Sequence, residues 1–309
     1  MVVIRTEGSP RIGWHHLDRC LYLATYLKGE IDCLFCINKD KTAAENIRKK
    51  KFEFCLDTDI SELEKRNVKA VLFDLDHLGP KDSIFLARIR QAGIKTLQFN
   101  YSSTPRQDVD VFIDTLANPD YAMLHHKFRH FNKIEKKYRK NIKNVFINLG
   151  DTLDYRTLRE IVDLLSRYQY NLKVVPGFRI KKANKKALKK IYPSVSFTGR
   201  CESFARAYFE ADIAVTAAET APYEAAAVGT PSLYLCHDRA TEAVARYFEK
   251  KGTGLRIERF QEDLNRKLKE KLYHFTSASR IRMGSSGKKL IDARGIYRVI
   301  DFLKKNDII

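Results

Sequence analysis

Val2-Val3-Ile4-Arg5 opens the chain, and Ile12-Gly13-Trp14-His15-His16-Leu17-Asp18-Arg19-Cys20-Leu21 follows after a loop that contains Gly8, Ser9 and Pro10. The first run is β-branched and apolar, which is typical of a strand, and the second begins an apolar stripe at helical spacing. A strand that runs through a loop into a helix directs backbone N–H groups and a partial positive charge at a bound ligand. The two imidazoles and Arg19 add groups that can transfer protons and hold anions. The stretch therefore predicts a site for a phosphorylated substrate.

The bulk composition indicates a globular protein of two domains. The chain has 309 residues, of which 44% are hydrophobic, and this length suffices for two cores of ordinary size. No apolar run approaches the ~20 residues that span a bilayer. Because the chain starts with a strand rather than with a basic and then apolar leader, we expect it in the cytoplasm, with no membrane span.

The charge is strongly basic, with 57 Lys and Arg against 38 Asp and Glu and a formal net charge of +19. Such an excess attracts nucleotides, nucleic acids or acidic membranes. Much of it lies in runs with the lysine spacing of solvated helix faces, which favours a solvated surface over a nucleic-acid groove. We therefore expect a small-molecule substrate and no nucleic-acid partner, and the oligomeric state stays open. The lysine-rich runs that carry much of this charge are 48–51, 136–140 and 181–190.

The six cysteines indicate buried thiols rather than a metal or redox centre. Cys33 and Cys36 have the spacing of such a centre, but they lie in a strand-like run and no second CxxC is present. Residues three apart on a strand point to opposite faces, which is poor geometry for one metal or one disulfide.

Apolar runs alternate with helical patterns along the chain, which predicts parallel sheets with crossover helices. The fold class is therefore α/β, with two doubly wound, Rossmann-like domains at 1–138 and 139–309 and a cleft at the carboxyl ends of their strands. Strands are predicted at 2–5, 31–37, 70–75, 95–99, 110–114, 143–148, 171–176, 194–198, 212–216 and 232–236. Helices are predicted at 14–27, 42–50, 59–66, 81–91, 154–168, 183–190, 201–209, 220–228 and 239–250.

The opening helix carries the first candidate site. We interpret His16 as a general base, with Arg19 as a contact for a phosphate or carboxylate and Gly13 as a surface for close approach of the ligand; the neighbouring His15 is a candidate substrate contact. The alternative is that both histidines are ordinary polar residues at the start of a helix.

Two further segments could carry chemistry. Thr220 and Glu224 stand between a strand and a helix, where a carboxylate can accept the hydroxyls of a ribose; the alternative is that Glu224 is an acid favoured by the helix dipole. Asp74, Asp76 and His77 end a strand and resemble a DxD metal motif, but parallel strands often end in acids that cap the next helix. We keep Asp76 and His77 as substrate contacts and predict no metal. The run 284–289, GSSGKK, lacks the spacing of a phosphate loop and no strand precedes it.

Four motifs follow one another across nearly the whole chain: GSPRIGWHHLDRCLYLA at 8–24, YAMLHHKF at 121–128, TAPYEAAAVGTP at 220–231 and LIDARGIYRV at 290–299. They are similar to the motifs GS…IGxGHxxRCLxLA, YALLRxxF, TxxEAxxxGxP and LVDGxGAxRV of one family. The chain thus resembles the UDP-sugar hydrolase of the pseudaminic-acid pathway and the spore-coat polysaccharide biosynthesis proteins, relatives of the GT-B glycosyltransferases.

The resemblance implies a GT-B architecture and an inverting mechanism without metal or cofactor. It places His16 on the histidine that activates water, Glu224 on the ribose-binding acid, and Gly150 and Asp151 at the start of the family's GGSD. It places His125 where the family has the arginine of its second motif. Glu219 and His15 stand where the family has glycines, and Thr241 and Asn100-Tyr101 replace a glutamine and paired acids.

These observations favour a nucleotide-sugar hydrolase in surface-polysaccharide or nonulosonic-acid synthesis, in which His16 activates water to release a nucleoside diphosphate from a UDP-linked amino or deoxy sugar. The alternatives are a GT-B glycosyltransferase, in which the same base activates a sugar hydroxyl, and a non-catalytic binding protein of the same pathway, since a carboxylate at Glu219 repels pyrophosphate. A nucleic-acid-binding protein, indicated only by the charge, comes last.

Overall fold

The computed structural model describes residues 1–9, 12–56, 63, 66–75, 78–100, 108–150, 153–177, 180–199, 204–258 and 262–309. These residues form two compact units. One comprises residues 1–124 together with 294–309, and the other comprises residues 125–293. The division therefore differs from the expected boundary at 138, and the end of the chain belongs to the first unit.

The first unit is built on a six-stranded parallel sheet in the order β3-β2-β1-β4-β5-β6. Its strands are β1 (Val2–Thr6), β2 (Cys33–Ile37), β3 (Glu53–Leu56), β4 (Ala70–Asp74), β5 (Lys95–Asn100) and β6 (Val111–Asp114). The described helices between them are α1 (His15–Leu27), α2 (Lys41–Lys49) and α3 (Pro80–Gln91), and a 3₁₀ turn spans Pro119–Tyr121. The central strands β1, β2 and β4 are buried along their whole length, as expected where helices cover both faces of a parallel sheet.

The sheet changes direction between β1 and β4, and their register decides what meets at its carboxyl edge. Thr6 at the end of β1 pairs with Asp74 at the end of β4. From β1 the chain adds β2 and β3 on one side of the sheet and then β4, β5 and β6 on the other side. The gap between β1 and β4 is therefore the switch point at which doubly wound sheets bind ligands. The loop that leads to α1 starts at this point.

The final helix, α12 (Gly295–Lys305), packs on the first unit and explains the difference in boundary. A side chain at Gly295 would lie 2.5 Å from the backbone carbon of Ala122, so only glycine allows this approach. The rings of Tyr26 and Tyr297 meet edge to face at 5.2 Å. The sequence analysis predicts no helix at this position, and a local pattern does not show which sheet such a helix covers.

The second unit repeats the plan, with a six-stranded parallel sheet in the order β12-β11-β10-β7-β8-β9. Its strands are β7 (Asn144–Asn148), β8 (Asn171–Val175), β9 (Val195–Phe197), β10 (Ile213–Ala217), β11 (Ser232–Leu235) and β12 (Gly254–Ile257). Its described helices are α4 (His126–Lys133), α5 (Tyr155–Ser166), α6 (Lys182–Ile191), α7 (Phe204–Glu210), α8 (Ala221–Ala227), α9 (Arg239–Lys250), α10 (Leu264–Leu272) and α11 (Ser277–Leu290). One apolar core joins this sheet to α5 and α10.

The predicted α/β class with two doubly wound sheets is confirmed. Each sheet has one more strand than the pattern predicts, β3 and β12, and both are edge strands; β3 has no buried residue, and β12 is buried only at Gly254 and Ile257. Helices α4, α10, α11 and α12 were also not predicted, and the run 284–289 lies within α11. The predicted helix 59–66 and the start of the helix at 201–209 fall largely outside the described residues.

The cysteines that the structure describes are free thiols, as predicted. Cys33 and Cys36 lie in β2 and are buried, and burial raises the pKa of Cys33 to about 12. Cys201 lies outside the described residues.

Candidate active site

The loop between β1 and α1 is closed by two backbone hydrogen bonds, which fix where the helix begins. Ser9 N–H donates to the Gly13 carbonyl at 3.1 Å, and Gly13 N–H donates back to Ser9 at 2.9 Å. Gly13 has φ of +87°, a conformation that L side chains rarely adopt, so the predicted close-approach glycine serves this turn. Trp14 precedes the helix as its N-cap residue and is 3% exposed.

Three side chains of α1 converge on one carboxylate, Asp74. The His16 Nδ1 atom lies 2.8 Å from Asp74 Oδ1, and Arg19 Nε donates to Oδ2 at 2.6 Å. Arg19 Nη2 also donates to Oδ1, and the Cys20 thiol donates to Oδ2 at 3.3 Å. Residues 16, 19 and 20 lie on one face of a helix, which is why a single strand end can meet all three.

This network is buried. His16 is 3% exposed, Arg19 is 4% exposed and Asp74 is 0% exposed. Burial by itself would raise the pKa of Asp74, but the guanidinium of Arg19 and the hydrogen bond from His16 hold it well below its usual range. Asp74 is therefore a carboxylate anion at any pH near neutrality.

We assign the ring hydrogen of His16 to Nδ1, because the Asp74 carboxylate has no proton to donate, and in this tautomer Nε2 is the basic atom. Arg19 Nη2, which lies 2.5 Å from Nδ1, is also a donor and donates to Asp74 Oδ1. Such an arrangement orients an imidazole and stabilises the imidazolium that forms when Nε2 takes a proton. The neighbouring ring of His15 lies 4.2 Å from that of His16, centroid to centroid.

The structure thus joins two features that the sequence analysis treated separately. Asp74 was considered as half of a metal pair with Asp76, and Arg19 as a contact for the substrate. Both belong to the hydrogen-bond network around His16, and the contact of Arg19 with a substrate stays a prediction. Asp76 and His77 lie outside the described residues. The signal for this partnership is the register of β1 with β4, which a single sequence does not show.

The second unit has its own switch point, between β7 and β10. Gly150 follows β7 with φ of +64°, and Glu219 follows β10. A side chain at position 150 would lie 3.2 Å from Glu219 Oε2, so the two loops are in close contact at the carboxyl edge. His237, just after β11, places its Nε2 atom 3.9 Å from Glu219 Oε1, and burial lowers its pKa. The sequence analysis did not single out His237.

Glu224 lies on α8 and faces the end of β7. It accepts a hydrogen bond from the hydroxyl of Tyr208, whose pKa is raised well above its usual range, first by burial and then by the charge of Glu224. Asn148 Nδ2 donates to the same hydroxyl at 3.0 Å. The half-buried carboxylate is therefore held by a buried tyrosine, and Thr220 is the residue that precedes the helix.

Two further predicted contacts are His125 and Asp151. His125 precedes α4 as its N-cap residue, and its Nδ1 atom accepts a hydrogen bond from Lys127 N–H at 3.3 Å. His125 therefore caps α4, and its predicted contact with the substrate stays a prediction. Asp151 lies outside the described residues.

Over the described ranges, no group of three or more His, Cys, Asp or Glu side chains is arranged to hold a metal ion. In the same part of the chain, no helix is both long enough and apolar enough to cross a membrane.

Comparison with known proteins gives matches of fold. No protein-family model and no curated protein matches the chain. Among solved structures, MurG from Acinetobacter baumannii is similar over 98% of this chain and 99% of its own, at 14% identity and a TM-score of 0.67. A glycosyltransferase from Rickettsia africae is similar over 98% and 97%, at 10% identity and a TM-score of 0.65. The fold is GT-B. HepE from Anabaena, solved with UDP and glucose, shares it over 98% and 99%, at 10% identity and a TM-score of 0.57.

The GT-B match agrees with one half of the sequence resemblance. It supports the relation to glycosyltransferases, and it leaves the hydrolase and spore-coat family as a prediction. At identities of 10 to 14%, the matches concern the fold, so the chemistry must be argued from the residues of this chain.

Proposed function

We propose that this protein is a glycosyltransferase that takes a nucleotide-linked sugar as donor, with His16 as the general base. The observation that carries the proposal is the hydrogen bond between His16 Nδ1 and the buried carboxylate of Asp74, at the switch point of the first sheet. The fold of the solved neighbours, which are glycosyltransferases, supports transfer as the reaction.

In this mechanism His16 Nε2 takes the proton of an acceptor hydroxyl as the oxygen attacks the anomeric carbon. The bond from that carbon to the phosphate oxygen breaks, and the nucleoside diphosphate leaves with the electron pair, so the configuration at the anomeric carbon inverts. Asp74 stabilises the imidazolium through Nδ1–H and keeps the ring oriented.

We assign the nucleotide to the second unit. Glu224, held by Tyr208, accepts the ribose hydroxyls, and Thr220 and Gly150 border the phosphates at the carboxyl edge. The Glu219 carboxylate, which a side chain at position 150 would meet at 3.2 Å, must move aside for the phosphates to bind there. The roles of Asp151, Asp76 and His77 remain predictions from the sequence, as do those of His15 and His125 as contacts for the sugar.

Hydrolysis of the donor is the second candidate, favoured by the four ordered motifs at 8–24, 121–128, 220–231 and 290–299. Water and a sugar hydroxyl need the same base, so the two reactions differ in the acceptor rather than in His16.

The test is a release assay on the purified protein with a panel of UDP-, CMP-, GDP- and dTDP-sugars, with and without sugar acceptors. We expect release of nucleotide that depends on an acceptor, and its loss in His16→Ala while the variant stays folded and still binds the nucleotide. Release without any acceptor supports hydrolysis. Full activity of His16→Ala, or the absence of any nucleotide-induced rise in melting temperature, would refute the proposal.

A further inference from the structure

We propose that Arg19 is a positioning residue that keeps His16 a neutral base near neutral pH, by holding both oxygens of the Asp74 carboxylate to which His16 Nδ1 is hydrogen-bonded. The inference rests on the role of His16 proposed above, and it replaces the expected contact of Arg19 with a substrate phosphate.

The first step is the fork between Arg19 and Asp74. Arg19 Nε donates to Oδ2 at 2.6 Å and Arg19 Nη2 donates to Oδ1, so both carboxylate oxygens are held by one planar guanidinium. Two parallel hydrogen bonds of this kind fix the plane of the carboxylate as well as its position. The direction in which Oδ1 receives the His16 hydrogen bond is therefore set by Arg19.

The second step is the competition for Oδ1. Arg19 Nη2 lies 2.5 Å from His16 Nδ1, and both atoms are hydrogen-bonded to the same carboxylate oxygen, Asp74 Oδ1. A proton on His16 Nε2 would place a second positive charge directly beside the guanidinium. Asp74 alone favours the imidazolium, because it is an anion; Asp74 already paired with Arg19 favours it much less.

The third step is burial. Arg19 is 4% exposed and Asp74 is 0% exposed, so water screens these charges little. Among the groups that face His16 are Asp74 on β4, Arg19 on α1 and the ring of His15. Cys20, on the same helix, donates its thiol hydrogen to Asp74, and burial raises its pKa well above the usual range, so it adds no charge.

The expected consequence has a definite sign. Removal of the guanidinium leaves Asp74 to stabilise the imidazolium by itself, so His16 stays protonated to higher pH. The acidic limb of the pH profile of kcat/KM then moves upward by about one unit or more, the scale of shift that one nearby charge causes. Activity lost at neutral pH returns as the pH is raised.

The experiment compares Arg19→Gln with Arg19→Lys, the matched control that retains the charge. We expect the acidic limb to rise by about one unit or more in Arg19→Gln and by less than about half a unit in Arg19→Lys. An equal fall of kcat/KM at every pH, with an unmoved limb, would show a merely structural role and overturn the inference. A full-unit shift in Arg19→Lys overturns it as well, and this arm decides even if Arg19→Gln does not fold.

A second readout separates this inference from the proposed function. In protein labelled at histidine, the imidazole titration of His16 is followed by NMR and assigned by the resonance missing in His16→Ala. An upward shift in Arg19→Gln supports the coupling even if no donor is ever turned over. An unchanged titration refutes the role of Arg19, whatever the assay of activity shows.

Discussion

The glycine at position 284 should be required by packing and not by phosphate binding. Gly284 lies in α11, where a side chain would stand 2.5 Å from the Gly229 carbonyl oxygen and 2.6 Å from Tyr138 Cζ. The Tyr138 hydroxyl in turn donates to the Gly229 carbonyl at 2.8 Å. Gly284→Ala must therefore displace the tyrosine, and we expect the hydrogen bond to be lost.

The size of the effect follows from three opposing quantities. Alanine gains about 1 kcal/mol over glycine in a helix interior. An added methyl in a filled contact costs about 1–3 kcal/mol, and the lost hydrogen bond costs about 1 kcal/mol. We expect a net destabilisation of the second unit by about 1–3 kcal/mol, which corresponds to a melting temperature lower by about 3–10 °C.

The assay is denaturant unfolding followed by far-UV circular dichroism, with hydrogen exchange of α8 and α11 amides to assign the change to this unit. Ser285→Ala, at the next and exposed position of the same helix, is the matched control and should gain a few tenths of a kcal/mol. A Gly284→Ala variant as stable as the parent would refute the packing argument. Loss of nucleotide affinity at unchanged stability would instead indicate a phosphate loop.

Three further outcomes are expected. Glu224→Ala should weaken binding of the donor's nucleoside diphosphate by ~1–3 kcal/mol in calorimetry. Glu242→Ala on α9 is the control. If Glu224→Ala binds the nucleoside diphosphate as tightly as the parent protein, Glu224 does not contact the ribose. Folding lowers the pKa of Asp74, so the ionised carboxylate stabilises the fold above the pKa of the unfolded chain, ~4, and this stabilisation is lost as the pH falls below that value. Asp74→Asn should therefore flatten the acid side of the plot of unfolding free energy against pH. An unaltered slope contradicts the assignment. Gly295→Ala, whose added carbon would meet Ala122, should speed hydrogen exchange in α12 while leaving α11 unchanged, and equal protection of α12 would speak against the contact.

Much of the architecture could be predicted because buried parallel strands are continuous apolar runs. Val2 to Ile4, or 70–73, bury every residue, so the pattern needs no partner to be recognised. Edge strands are harder, since β3 leaves Glu53 and Leu56 exposed and resembles a loop. Helix α12 was not predicted either, and an amphipathic pattern there indicates a buried face but not which sheet covers that face.

The candidate site was predictable in part for a similar reason. His16 and Arg19 were singled out by a local pattern, and so was Asp74. Their connection spans 58 and 55 residues of chain and depends on the pairing of Thr6 with Asp74. Alternation along β4 equally allowed a pair of Asp74 with Asp76, so local geometry could not decide between a metal site and a carboxylate that orients a base.

The return of α12 to the first unit has a consequence for synthesis. A ribosome releases residues 125–293, a continuous and self-contained unit, before it releases α12. The first unit begins to emerge first, but its fold is completed last, when α12 is synthesised. Until then, the surface formed by Tyr26 and Ala122 is not covered by α12. A fragment that ends at residue 124 would keep its six strands and still lack the helix that covers this surface, whereas 125–293 can be produced as one segment.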